Sequence, residues 1–398
     1  MSSTTLSRCA IGDLVDEVST WNPSRECNGT FRYIDIGSID QAEKSIQRSE
    51  HIPCSEAPSR ARQIVKAGDV LVSTVRPNLN AVARVPDELD GATASTGFCV
   101  LRPRANSLES PYLFHWVKTP DFISNMVRLA TGASYPAVSD AIVKQSLIPL
   151  PDLNDQRRIA AILDKAEAVR VKRVLTVSKL NLLVPSLFEA MFGEPKTNPH
   201  RFPVINLGEM IVEGPQNGLY KPASDYGSGT PILRIDGFYS GRITDLSALK
   251  RVRLSNGEAE SYELKEGDIV INRVNSLEYL GKSAVVPNLL EPTVFESNMM
   301  RFRLDEKHVL PSFLIQLLQT PYIYSQILRG AKNAVNQSSI NQQDVKGFRI
   351  CVPPIELQRE FAHAVGVIQS QQARCDAFKA KADEAFASMQ NRAFRGDL

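Results

Sequence analysis

The chain has 398 residues, 43% hydrophobic and 23% charged, with 46 Lys and Arg against 44 Asp and Glu for a net charge of +2. That length accommodates two or three domains, and the balanced charge excludes a protein that merely coats nucleic acid with a basic surface. No uninterrupted apolar run reaches eighteen residues, so no membrane span is expected, and the N-terminus has neither the basic flank nor the apolar core of a signal peptide. Six scattered cysteines (Cys9, Cys27, Cys54, Cys99, Cys351 and Cys375) form no C-x-x-C pair and predict reduced thiols in a cytoplasm.

Residues 1–150 read as a mixed α+β domain of short apolar runs bounded by Gly, Pro, Asn and Asp. A strand is expected in "AGDVLVSTV", Ala67 to Val75. The "TVRPNLN" that ends it presents Arg76, Asn78 and Asn80. "PDELD", Pro86 to Asp90, reads as a solvated loop, and "SPYLFHWVKTPDFISNMVRLA" as a helix. "TGASYP", Thr131 to Pro136, then offers Ser134 and Tyr135. Such side chains on strand-anchored loops can read base edges and phosphates, with ordinary polar turns as the structural alternative.

Residues 151–195 predict a long helix entered through "PLPDLNDQRRIAAILDKAEAV". Alternating steps of four and three from Ile159 meet Leu163, Ala166, Arg170, Arg173, Val177, Leu180, Val184, Leu187 and Met191, so eight of ten positions are apolar. A 3.5-residue repeat held this long is the pattern of coiled-coil packing, and some 35 residues would extend roughly 50 Å. Pro185 lies inside it and predicts a kink or break.

The chain then repeats itself. "EGDIVINRV" at Glu266 follows "AGDVLVSTV" by 199 residues, "QTPYIYSQILR" at Gln319 follows "KTPDFISNMVR" by 201, and "QQDVKGFRICVP" at Gln342 follows "DAIVKQSLIPLP" by 202. Gln156 and Arg157 match Gln358 and Arg359, and Phe192 matches Phe394. A second α+β domain is therefore expected over 196–352 and a second long helix over 353–398. The shifted ladder runs through Phe361, Val365, Ile368, Gln372, Cys375, Lys379, Ala382, Phe386, Met389 and Ala393. Two such stripes are buried most economically against each other, as an antiparallel coiled coil with an internal pseudo-two-fold. Packing is assigned to Ile159, Leu163, Leu180, Leu187, Phe361, Val365, Ile368, Phe386 and Met389. The second domain's candidate loops are "NRVNSLEYLGK", with Arg273, Asn275, Tyr279 and Lys282, and "KNAVNQSS", with Lys332, Asn333, Asn336, Gln337 and Ser338.

No catalytic constellation is evident. The five histidines are mutually remote and lack metal-site spacing, no P-loop is present, and the Asn-Pro-Pro-aromatic signature of adenine methyltransferases is missing. "YGSGTP", Tyr226 to Pro231, reads as a turn. No catalytic residue, metal or cofactor is assigned to this chain.

The duplicated "IPLPDLNDQRRIAAILDKAEAV…LFEAMFGEP" and "ICVPPIELQREFAHAVGVI…NRAFRGDL", each after a variable α+β domain, resemble the specificity subunit of type I restriction–modification enzymes over nearly the whole chain. The resemblance implies that each domain is a target-recognition domain reading half of a bipartite site in double-stranded DNA. It implies that the helix pair fixes the unread spacer and docks two methyltransferase subunits, which bind S-adenosylmethionine and methylate adenine N6. Two motor-nuclease restriction subunits would complete the complex in the cytoplasm. The chain departs from the family at Pro185, where the helix is usually unbroken. Its weak basicity assigns much of the grip on DNA to the assembly, because phosphate contacts dominate affinity. The competing reading from another class is a coiled-coil scaffold with two protein-binding heads.

Overall fold

The computed structural model describes residues 6–243, 245–333 and 337–398. It divides into two compact units, one of Met1–Thr176 with Cys375–Leu398 and one of Val177–Arg374. The division cuts both long helices, so each unit owns a stretch of each.

In the first unit β1 (Thr30–Ile34) and β2 (Val70–Ser73) belong to different four-stranded sheets, as do β3 (Thr93–Ser95) and β4 (Phe98–Pro103). One sheet runs Glu50–Pro53, β1, β3, Ala61–Ile64, and the other Val15–Asp16, β4, β2, Val82–Arg84. The expected single helix is two, α1 (Ser110–Val117) and α2 (Pro120–Leu129). Pro120 cannot donate to the preceding turn, and Thr119 caps the new helix by accepting from the Phe122 N–H. The long helix α3 (Leu153–Phe192) follows.

The second unit repeats the plan on a larger sheet. β5 (Tyr226–Leu233), β6 (Ile269–Asn272), β7 (Val294–Phe295) and β8 (Met299–Leu304) correspond to β1–β4. β5 and β7 pair in parallel as β1 and β3 do, and β6 pairs with β8 antiparallel as β2 does with β4. α4 (Pro311–Leu318) and α5 (Pro321–Gly330) are split at a Thr-Pro step in the same way, with Thr320 as cap, and the second long helix is α6 (Ile355–Arg395). "YGSGTP" lies within β5, which corrects its reading as a turn. Gly227 and Gly229 adopt positive φ there, and the pairing register shifts between Tyr226 and Thr230. A bulge explains how glycines sit inside a strand.

The sequence anchors are buried polar contacts made twice. Asp69 accepts the Lys66 N–H and pairs with Arg102 at 3.0 and 2.7 Å. Asp268 accepts the Lys265 N–H and pairs with Arg303 at 3.0 and 2.6 Å. Gln156 Oε1 accepts the Glu109 N–H that begins α1, while its Nε2 donates to the carbonyls of Ser107 and Pro151. Gln358 makes the same three bonds, from the Leu310 N–H and to the carbonyls of His308 and Pro353. Each long helix is thus fastened at its start to its own domain by a fully buried amide.

Each long helix ends in the other domain's core. In the first unit Phe394 packs on Tyr112 and Trp116 at 5.1 and 5.0 Å, beside Ile159, Leu163, Phe386 and Met389. In the second, Phe192 packs on Phe313 and Phe361 at 4.9 and 5.3 Å, beside Val184, Leu187, Val365 and Ile368. Within each unit the helix segments run antiparallel: Arg158 reaches the Leu398 carbonyl and Arg170 pairs with Asp383 at 2.7 Å in the first, and Gln372 donates to Asn181 at 3.0 Å in the second. Leu180 is half-buried. Two of the ladder's polar exceptions, Arg170 and Gln372, therefore pair across helices, and Arg170 and Arg173 also stack on Phe386 and Phe378.

Two further expectations are revised. Of the kink or break expected at Pro185, the break is absent: α3 continues to Phe192. Pro185 and Asn181, whose carbonyl loses its i+4 donor, are both exposed, while Val184, Phe188 and Phe192 hold the helix in the core. Cys27 and Cys54 are joined in a disulfide with Cα atoms 5.8 Å apart, where reduced thiols are expected from the sequence. The β1 hairpin with Glu50–Pro53 brings them together over Trp21, Phe31 and Tyr33. α3 is also long and apolar enough, at mean hydropathy 1.3 over its best stretch, to cross a membrane by length and composition alone. That stretch is interrupted by charge, and its end supplies the second unit's core.

Gln156→Leu would leave the Glu109 N–H and two carbonyls without their partner. It is expected to cost about 2–4 kcal/mol of the first unit's stability, with faster hydrogen exchange in α1 as the reading; Gln358→Leu should do the same to the second unit and α4. Asp164 accepts from buried His115 at 2.7 Å, and that bond chiefly holds its carboxyl below the usual range. A depressed folded pKa contributes stability above the unfolded value and loses it as pH falls through the folded one. Asp164→Asn should therefore lower Tm near neutrality and converge with wild type in acid.

Candidate nucleic-acid interface

In the first unit the two candidate loops are neighbours. Val75 and Thr131 both bridge to Ala137, the Arg76 N–H donates to the Pro136 carbonyl at 2.7 Å, and the Arg76 guanidinium lies over the Tyr135 ring at 4.8 Å. Tyr135 is 68% exposed, and Arg76, Asn78 and Ser134 are exposed with it. Asn80 is instead buried and its carbonyl accepts from Lys44. Arg76 and Asn80 flank the turn Pro77–Leu79 with φ of 49° and 44°. Left-handed backbone at non-glycine residues persists only where the surroundings impose it, and such positions cluster at ligand clamps. Here the imposing groups are the Pro136 carbonyl and the Lys44 ammonium.

In the second unit the same pair of loops forms a small three-stranded sheet. Val274–Asn275 pairs with Ser338–Ser339, which pairs with Lys332–Asn333. Val274 and Ser339 are the repeat equivalents of Val75 and Ala137, so both copies join these loops at one place. Arg273 is held by a bond to the Ser297 carbonyl, Lys332 and Gln337 are exposed, and Ser338 is buried. Asn336 lies outside the described residues.

Tyr279 closes the turn Leu277–Tyr279, and Lys282 follows it. The Lys282 ammonium lies 3.5 Å from the Tyr239 ring centroid and 5.5 Å from that of Tyr279, and donates to the Ile235 carbonyl. Burial lowers its pKa, with Asp236 opposing. Glu278 raises the pKa of the exposed Tyr279 hydroxyl.

Both units therefore present exposed tyrosines with a cation on the ring, beside hydrogen-bonding side chains on strand-anchored loops. Such groups can stack on sugars or bases and donate to phosphates and base acceptors. Sequence reasoning missed Tyr239, half exposed, whose approach to Lys282 depends on a strand pairing 40 residues away in the chain. Among the described residues, no three His, Cys, Asp or Glu side chains converge as a metal site.

A family model for the type I restriction modification DNA specificity domain matches residues 26–173 and 204–371. The specificity subunit of the type I restriction enzyme EcoKI from Escherichia coli strain K12 is 25% identical over 325 residues, covering 76% of this chain and 68% of that protein. The putative type I restriction enzyme MjaX specificity subunit from Methanocaldococcus jannaschii is 33% identical over 156 residues, covering 38% and 36%. A chain solved in work on complex assembly and conformational transition of the type I R-M system matches with a TM-score of 0.65 at 26% identity over 99% of both chains.

Gly132, at φ 101°, sets the Tyr135 loop, and a Cβ there would lie 3.0 Å from the Tyr135 carbonyl oxygen. Gly132→Ala is expected to cost about 1–3 kcal/mol, whereas Gly37→Ala, at an open position of ordinary φ, should stay within about 0.5 kcal/mol of wild type. Denaturant midpoints of the two variants check this.

Proposed function

Because the chain belongs to the type I restriction modification DNA specificity domain family, we propose that it is the non-catalytic, sequence-recognising subunit of a type I restriction–modification enzyme. Residues 1–150 and 196–352 each read one half of a bipartite site in double-stranded DNA, and the helices 151–195 and 353–398 set the unread spacer. The observation that carries this reading is the repeated pair of joined loops, Arg76 with Tyr135 in one copy and the sheet at Val274 and Ser339 in the other. One reader of each kind per chain suits a site of two unlike halves.

Base contacts specify while phosphate contacts position. Arg76, Asn78, Ser134 and Tyr135 would serve the first half-site, and Asn275, Tyr279, Lys282, Lys332 and Gln337 the second. The adenine chemistry belongs to partners: two methyltransferase subunits carrying S-adenosylmethionine, docked along the helices, and two motor-nuclease subunits for restriction. DNA and S-adenosylmethionine place the assembly in the cytoplasm. The modest net charge supports a division of labour in which partners supply much of the phosphate contact.

Co-expression with the cognate methyltransferase subunit, followed by genome-wide mapping of N6-methyladenine, tests the reading. Two short sequences separated by a fixed gap are expected; a continuous motif, or none, overturns it. Exchanging residues 1–148 for those of another family member should change one half-site only.

A further inference from the structure

The two copies share a scaffold, so a place where the backbone is kept and the charge is changed marks where they recognise different things. One such place lies beyond the ends of the parallel strand pairs. In the first unit β1 and β3 pair through Tyr33–Thr93 and Ile34–Ala94 and continue into Asp35 and into Ser95–Thr96–Gly97. This ground is filled: Ser95 is buried, and a Cβ on Gly97 would lie 2.6 Å from Ile36 Cδ1. In the second unit β5 and β7 pair through Ile232–Val294 and Leu233–Phe295 and continue into Arg234 and into Glu296–Ser297–Asn298. Here a cavity of about 450 Å³ opens, lined by Arg234, Glu296, Asn298, Lys250, Tyr220 and Tyr226.

Two polar groups in this cavity are incompletely matched. Glu296 is buried, and its Oε1 accepts the Ile235 N–H at 2.7 Å. Its Oε2 stands 3.6 Å from Arg234 Nε, an ion pair just beyond hydrogen-bond length, with Asp236 Oδ1 at 3.9 Å on the same nitrogen; among the described residues that buried Nε–H has no acceptor within hydrogen-bond distance. A buried donor without an acceptor is costly, which favours any ligand that supplies one. Burial also raises the Glu296 carboxyl above its ordinary pKa, so an amine offered to it would be favoured in turn. Tyr226 lies under the Arg234 guanidinium at 5.7 Å, and Tyr220 is 76% exposed at the rim.

We propose that this cavity is a base-reading pocket of the second unit, in which Glu296 accepts from an exocyclic amine, Arg234 donates to the acceptor beside it, and Tyr220 stacks at the rim. An amine next to an acceptor is presented in the major groove by cytosine paired with guanine, and by adenine. The inference rests on the DNA-recognition reading and adds residues that neither candidate loop contains.

The test uses the complete methyltransferase complex and the methylation motif. Glu296→Gln keeps the Oε1 acceptor for the Ile235 N–H but places a donor amide where the carboxylate faced the base. It should relax or change discrimination at one C·G or A·T position of the second half-site and leave the first half-site intact; which pair is affected identifies the base. Tyr220→Ala, a change at an exposed side chain, should weaken binding to the cognate duplex severalfold by removing a contact at the pocket rim. An unchanged second half-site in Glu296→Gln, a change in the first, or, should that variant fail to fold, unaltered affinity in Tyr220→Ala overturns the pocket. A wild-type complex that yields no bipartite motif would instead sink the DNA-recognition reading itself.

Discussion

The plan of this chain depends on a buried amide used twice. Gln156 and Gln358 each accept the N–H of the residue that caps a domain helix and donate to two carbonyls around a proline-bounded entry, so the start of each long helix is fixed to its own domain by three hydrogen bonds. Glutamine suits the position because one side chain supplies both an acceptor and two donors without a net charge to bury. Phe192 and Phe394 enter cores built largely by the other copy's helices. Neither core is complete without that visit.

The same economy explains the ladder's imperfections. At the ends, Ile159, Leu163, Phe361 and Val365 are core residues in contact with domain helices as well as with the opposite long helix. Between them the stripe carries polar interruptions, and Arg170 with Asp383 and Gln372 with Asn181 give register where an apolar seam would tolerate slippage. Several apolar side chains on the outer faces, Val171, Leu175 and Leu182 among them, stay exposed.

Much of this was legible in the sequence because the anchors are backbone-determining. The Gly-Asp strand starts, the Thr-Pro steps and the Pro-x-x-x-x-Gln entries recur at nearly constant offset, since each satisfies backbone groups that any copy of the fold must satisfy. The misreadings came where a tertiary contact outweighs a local rule. Pro185 stays helical because three neighbours are pinned in a core, and "YGSGTP" is a strand because its partners at Lys250–Val252 and Val294–Phe295 accept a bulge. The cysteine pair was invisible to spacing, since its members stand 27 positions apart and are brought together only by the pairing of Thr30–Ile34 with Glu50–Pro53. The candidate loops were found by residue type and strand position, but not the cavity at Arg234 and Glu296, whose walls come from residues 220 to 298 and share no motif.

The first unit is assembled from the beginning and the end of the chain, whereas the second is one uninterrupted stretch from Val177 to Arg374. On the ribosome these two are not equivalent. The second unit has all of its residues in hand while Tyr112 and Trp116 still lack the ring of Phe394. The later-encoded reader is therefore the first that can close its core, and the earlier one must wait, partly open, for residues 375–398. The earlier-encoded unit thus depends for its core on residues made after the whole of the later one, and a truncation that removes residues 375–398 strikes the first unit's core rather than the second's.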